Sequence, residues 1–128
     1  MKKIKTVLIC LLISSRLLAS DIYEEVSSAI RNGDSHQLAT YFNSSIDLSI
    51  TGSENVYSKA QAEFIVKDFF NKNPPKSFNI LHKGSSPEGT QYLIGNLITT
   101  NGKTFRTSFY IKTTKGVQAL QELRIEVE

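Results

Sequence analysis

The chain has 128 residues, 40% of them apolar and 21% charged, with one Cys and no Trp. That is one domain's worth of sequence, and the composition excludes both a disordered chain and one embedded throughout in a membrane. The formal charge of +3 misleads, because Lys2, Lys3, Lys5 and Arg16 all lie in the first 20 residues, which hold no acid; without them 11 basic residues face 12 acids, and a net charge near −1 argues against a nucleic-acid partner.

The Lys-rich start is followed by an unbroken apolar run from Val7 to Ile13 and then by Leu17-Leu18-Ala19-Ser20, which ends in small residues. This is the layout of a secretory signal peptide, and the run is too short to cross a bilayer, which takes roughly 20 residues. We therefore expect residues 1–20 to be a leader cleaved after Ala19 or Ser20, with no membrane span left. The expected location is periplasmic or extracellular, with residues 21–128 as a single domain. Cys10 leaves with the leader, so the mature chain has neither disulfide nor thiolate.

Asp21 to Glu24 opens a helix with Asp21 as N-cap; Ile22, Val26, Ala29 and Ile30 sit at helical spacing, and Gly33 stops it. Asp34 to Gln37 reads as a second capping box before a short helix whose apolar side is Leu38, Tyr41 and Phe42. Ile46, Leu48 and Ile50 alternate with polar residues as a half-buried strand, Thr51 to Asn55 turns the chain, and Val56-Tyr57 returns briefly. A third capping box, Ser58-Lys59-Ala60-Gln61, starts the longest helix. Its inner face is Ala62, Ile65, Val66, Phe69 and Phe70, and it ends before Pro74-Pro75. Four strands follow, over Ser77 to Lys83, Thr90 to Thr100, Lys103 to Thr113 and Val117 to Val127. The Asn101-Gly102 pair predicts a type I′ hairpin turn.

The order α-α-β-β-α-β-β-β-β resembles the cone-shaped α+β roll of the nuclear transport factor two-like (cystatin-like) superfamily. More closely, the chain is similar to a family of small secreted bacterial proteins of unknown function within it. The residues that carry the resemblance are Tyr57-Ser58-Lys59-Ala60-Gln61-Ala62, Lys67-Asp68-Phe69-Phe70, Asn73-Pro74, Phe78, His82-Lys83-Gly84, Tyr92-Leu93-Ile94-Gly95-Asn96-Leu97 and Leu123-Arg124-Ile125-Glu126. It implies three helices packed on a strongly bent, mainly antiparallel sheet. It implies no activity, because the superfamily holds isomerases, dehydratases, epoxide hydrolases, transport adaptors and binding proteins alike.

Enzymes of the superfamily work in the hollow between sheet and helices, so the polar residues that share a face with core residues matter most. Alternation puts His82 with Phe78 and Ile80, Asn96 with Tyr92, Ile94 and Ile98, and Thr107 with Phe105, Phe109 and Ile111. His82, Tyr92, Asn96 and Thr107 are thus the expected ligand-binding residues of the hollow. No carboxylate joins them, no acid pair reads as a general acid and base, and two histidines without cysteine do not make a zinc site. We therefore expect no catalytic residues, no metal and no cofactor. The leading reading is an exported non-catalytic domain that binds a small apolar ligand or an envelope protein. The alternatives are a hydratase or isomerase with His82 as base and Tyr92 or Asn96 as polariser, and a structural subunit of an envelope assembly. Leu93, Leu97 and Tyr110 fall on the opposite face, where an apolar patch would support a homodimer.

Overall fold

Side-chain caps start each of the three helices, as the sequence leads one to expect. In α1 (Ile22–Asn32) Asp21 Oδ1 accepts from Tyr23 N, in α2 (Ser35–Ala39) Asp34 Oδ1 accepts from Gln37 N, and in α3 (Lys59–Lys72) Ser58 and Gln61 form a complete capping box. Gly33 ends α1 with φ +64°. The structure, a computed structural model, describes residues 21–128. The signal-peptide reading falls on residues 1–20 and lies outside the described residues.

The helices pack on one sheet of six strands: β1 (Phe42–Ile50), β2 (Ser53–Ser58), β3 (Pro75–Ser85), β4 (Gln91–Thr99), β5 (Thr104–Thr114) and β6 (Val117–Val127), in the order β2-β1-β6-β5-β4-β3. All neighbours are antiparallel except β1 and β6, which run parallel. Phe42 belongs to β1 rather than to the second helix, because it pairs with Leu120 of β6. Register shifts interrupt β1–β6, β3–β4 and β5–β6, and such irregularities bend strands.

The turns correct one expectation. The left-handed pairs that a type I′ turn needs are Thr51-Gly52 (φ +48° and +87°) and Lys115-Gly116 (φ +52° and +78°). Between β4 and β5 only Gly102 is left-handed. Gly102 N donates to Thr99 O and Thr99 N to Lys103 O, a turn closed by a glycine bulge. Asn101 spends its side chain instead on the end of α3: Nδ2 donates to Asn73 Oδ1 at 2.9 Å, while Oδ1 accepts from Thr99 Oγ1.

Val26, Ala29 and Ile30 of α1, Leu38 of α2 and Ala62, Val66, Phe69 and Phe70 of α3 close over the inner face of the sheet. From β4 to β6 that face is Leu93, Leu97, Phe105, Thr107, Phe109, Ile111, Leu123 and Ile125, all buried. Both sheet edges are capped in part. On β2, Val56 N donates to Asn55 Oδ1 and Ser58 N to Gln61 Oε1. On β3, Tyr23 Oη donates to Gly84 O at 2.9 Å, and Lys83 Nζ lies over the Tyr23 ring. Blocking the free groups of an edge keeps other chains from adding to it.

Candidate functional site

β4 faces the opposite way from the sequence expectation. Both of its faces are largely apolar, so alternation alone does not choose between them. The choice falls to Gly95, which pairs with Thr107 on the inner face and leaves room there for the Phe78 ring. Leu93 and Leu97 are therefore core residues with no exposed surface, and they form no outer patch with Tyr110. Tyr92, Ile94, Asn96 and Ile98 point outward, where the tyrosine hydroxyl has a polar partner.

His82 moves with them. A register shift between Ile80 and His82 takes Leu81 out of the ladder and turns His82 to the outer face, paired with Ile94. Ile80 and Leu81 are both left exposed. Of the four residues expected in the hollow, only Thr107 lies inside, where its hydroxyl donates to Phe105 O at 3.3 Å. Side chains fill the rest, with the Phe69 and Phe105 rings edge to face at 5.0 Å.

The expected site residues do meet, but outside. His82 Nε2 and Tyr92 Oη are 3.0 Å apart with ring centroids at 5.5 Å, and Tyr92 pairs directly with Tyr110, their rings 6.1 Å apart. Asn96 lies two steps along the same face, beyond Ile94, its Oδ1 enclosed without a hydrogen-bond partner. This corner is aromatic, hydrogen-bonding and partly exposed, with Arg106 paired opposite Asn96 and Glu122 opposite Tyr110. Such a surface offers stacking area and a few fixed polar groups.

Across the same face the row continues from Tyr110 to Glu122, Asp47 and Val56. Asp47, Glu54 and Glu122 bring one carboxylate oxygen each within 4.8 Å of one another. Hard oxygen ligands of this kind are what a calcium-like cation takes, but Arg124 already supplies a cation, 3.1 Å from Glu122 and 3.6 Å from Glu54. The grouping was not legible in sequence, because it depends on the parallel pairing of β1 with β6. A hydrogen bond to Asp47 and the charge of Asp47 hold the Glu54 carboxyl above its ordinary range, against the pull of Arg124. A raised folded value means that the stabilising proton is present in acid and lost as pH rises through that value. Glu54→Gln should therefore raise the melting temperature at neutral pH, with the gain fading below the ordinary glutamate range; a difference that is flat with pH would refute the coupling.

The open end of the hollow is the remaining concave feature of interest. There the ends of β1 and β6, the start of β5 and the last turns of α3 leave a cleft of about 260 Å³. Its apolar walls include Ile50, Ile65, Phe69, Phe105 and Val127, with Lys72 and Lys103 at the rim. Sequence patterning missed it, because it is built from the ends of separate elements.

Residues 23–126 match the profile of the domain of unknown function DUF4783. The chain belongs to the DUF4783 family. Crystal structures of DUF4783 proteins from Bacteroides ovatus and Bacteroides uniformis are similar to it, at 30% and 26% identity with TM-scores of 0.76 and 0.78. The alignments cover 81% and 84% of this chain and 93% and 98% of theirs. A protein of unknown function from Shewanella baltica, described as nuclear transport factor two-like, shares the fold at 10% identity and a TM-score of 0.64, over 84% of this chain and 88% of its own. No curated protein matches the chain. The DUF4783 domain here is thus a nuclear transport factor two-like α+β roll, and no helix among the described residues is long and apolar enough to cross a membrane.

Proposed function

We propose that this DUF4783 protein is an exported, non-catalytic interaction domain that recognises an envelope protein, or a second copy of itself, with the outer face of its sheet. The observation that carries the reading is the gathering of His82, Tyr92, Asn96 and Tyr110 on that face while aromatic and aliphatic side chains pack the hollow. Tyrosine is enriched in protein interfaces because it combines large apolar area with a polar tip. The hydratase or isomerase reading has less behind it, since its base, His82, sits on the outer face, and Thr107, the one expected site residue inside, gives its hydroxyl to Phe105 O.

The test is sedimentation of the exported protein together with capture from an envelope extract, each repeated with the double variant Tyr92→Ala, Tyr110→Asp. We expect an intact mass beginning at Ser20 or Asp21, and either a dimer or a captured envelope protein that the double variant loses by at least tenfold. Substrate turnover abolished by His82→Ala in a folded protein would overturn the reading, as would binding indifferent to both tyrosines.

A further inference from the structure

We propose that the cleft at the open end of the hollow, together with the groove beside it, binds a free medium-chain aliphatic carboxylate. Two adjoining depressions share Ile65 as a wall: the cleft of about 260 Å³, and a groove of about 390 Å³ over Tyr57, Ala60 and Phe64. Together they reach the size of small-ligand pockets, roughly 300–1,000 Å³. The groove is largely apolar, while the cleft sets Thr51, Asp68, Lys72, Asn73 and Lys103 beside its apolar walls; together they leave large side chains in water, with Phe64 74% exposed and Val127 57%. Contiguous exposed apolar surface of this kind usually marks a contact surface.

Charge selects the occupant. Lys72 at the rim is neutralised by Asp68 at 2.9 Å, whereas no ion pair engages Lys103 among the described residues. Lys103, a rim cation without a carboxylate partner beside the apolar walls of Ile50, Phe105 and Val127, matches an anionic head on an alkyl tail. A peptide adding to β2 as a strand fits less well, because the Val56 and Ser58 N–H groups are already taken. This site is separate from the outer face, and either can fail without the other.

The experiment titrates dodecanoate, below its micelle concentration, into isotope-labelled protein and follows backbone amide shifts by NMR. We expect one saturable site, with shifts at Thr51, Ile65, Phe64 and Lys103 and none at Tyr92 or Tyr110. Octanoate should bind roughly tenfold more weakly, since partly buried methylenes each contribute to affinity. Dodecanol and the variant Lys103→Glu should each lose about tenfold, and Lys103→Arg should keep binding. Phe64→Ala should weaken binding a few-fold with the melting temperature unchanged. The proposal is overturned if the cleft amides do not saturate, if the alcohol binds as well as the acid, if Lys103→Glu binds normally, or if phospholipid vesicles shift these amides while the free acid does not.

Discussion

Phe69→Ala should cost about 3–5 kcal/mol, the usual range for deleting a buried aromatic ring. Phe69 is 5% exposed, meets Phe105 edge to face at 5.0 Å, and touches Phe70, with centroids 5.8 Å apart. It is the residue through which α3 closes the hollow. The loss is a large share of the roughly 5–15 kcal/mol that holds a typical domain together. In a domain of this length each kcal/mol moves the midpoint by about 4–8 °C, so the melting temperature should fall by more than ten degrees on that scale. Phe64→Ala on the same helix is the control, since its ring is 74% exposed. A Phe69→Ala protein that melts within a degree or two of wild type would mean that α3 does not close the core as described.

The second large effect is expected from adding one methyl group. A Cβ at Gly95 would lie 2.7 Å from the Phe78 ring and 2.8 Å from the Asn79 carbonyl oxygen. Glycine to alanine in a strand is ordinarily neutral or favourable where the backbone tolerates it. Here the backbone is ordinary and the neighbours are not: one is a buried ring and the other is main chain. Overpacking of this kind costs about 1–3 kcal/mol, and we expect Gly95→Ala at the upper end. Gly84→Ala should cost less. Its Cβ would meet only the tip of Tyr92, 2.7 Å away, and that outer-face ring can swing aside. If Phe78 is the obstacle, Phe78→Leu combined with Gly95→Ala should cost less than the sum of the two single changes. Strict additivity, measured by chemical denaturation, would place the strain elsewhere.

The order of elements was legible because its signals are local. Asp21, Asp34 and Ser58 each bond the backbone two or three residues on, and the apolar residues of α1 and α3 repeat at helical spacing. The inner face of β5 was legible for the same reason, with Phe105, Thr107, Phe109 and Ile111 alternating cleanly. β4 was not, because Tyr92, Ile94 and Ile98 are as apolar as Leu93 and Leu97. What decides its orientation is a contact with Phe78 of another strand, and alternation carries no record of that. The bulge at Leu81 is equally silent: one residue slipped out of the ladder carries His82 from one face to the other. The candidate site suffered most, since three of its four expected residues lie on these two strands. All three point to the outer face of the sheet, opposite to the side that alternation led one to expect.

The parallel pairing of β1 with β6 has a consequence for how the protein comes into being. The strand that joins the β1–β2 hairpin to the rest of the sheet is the sixth in chain order of the six described strands. Until Val117 to Val127 is available, β1–β2 and β3–β4–β5 have no strand between them. Phe42, Leu48 and Phe109 then lack the partners that Leu120 and Leu123 provide. Contacts between the two ends of a chain are the slowest to form, because a large loop must close before they yield any stability. The two parts of the sheet thus stay unjoined, and their shared core uncovered, until β6 takes its place between them.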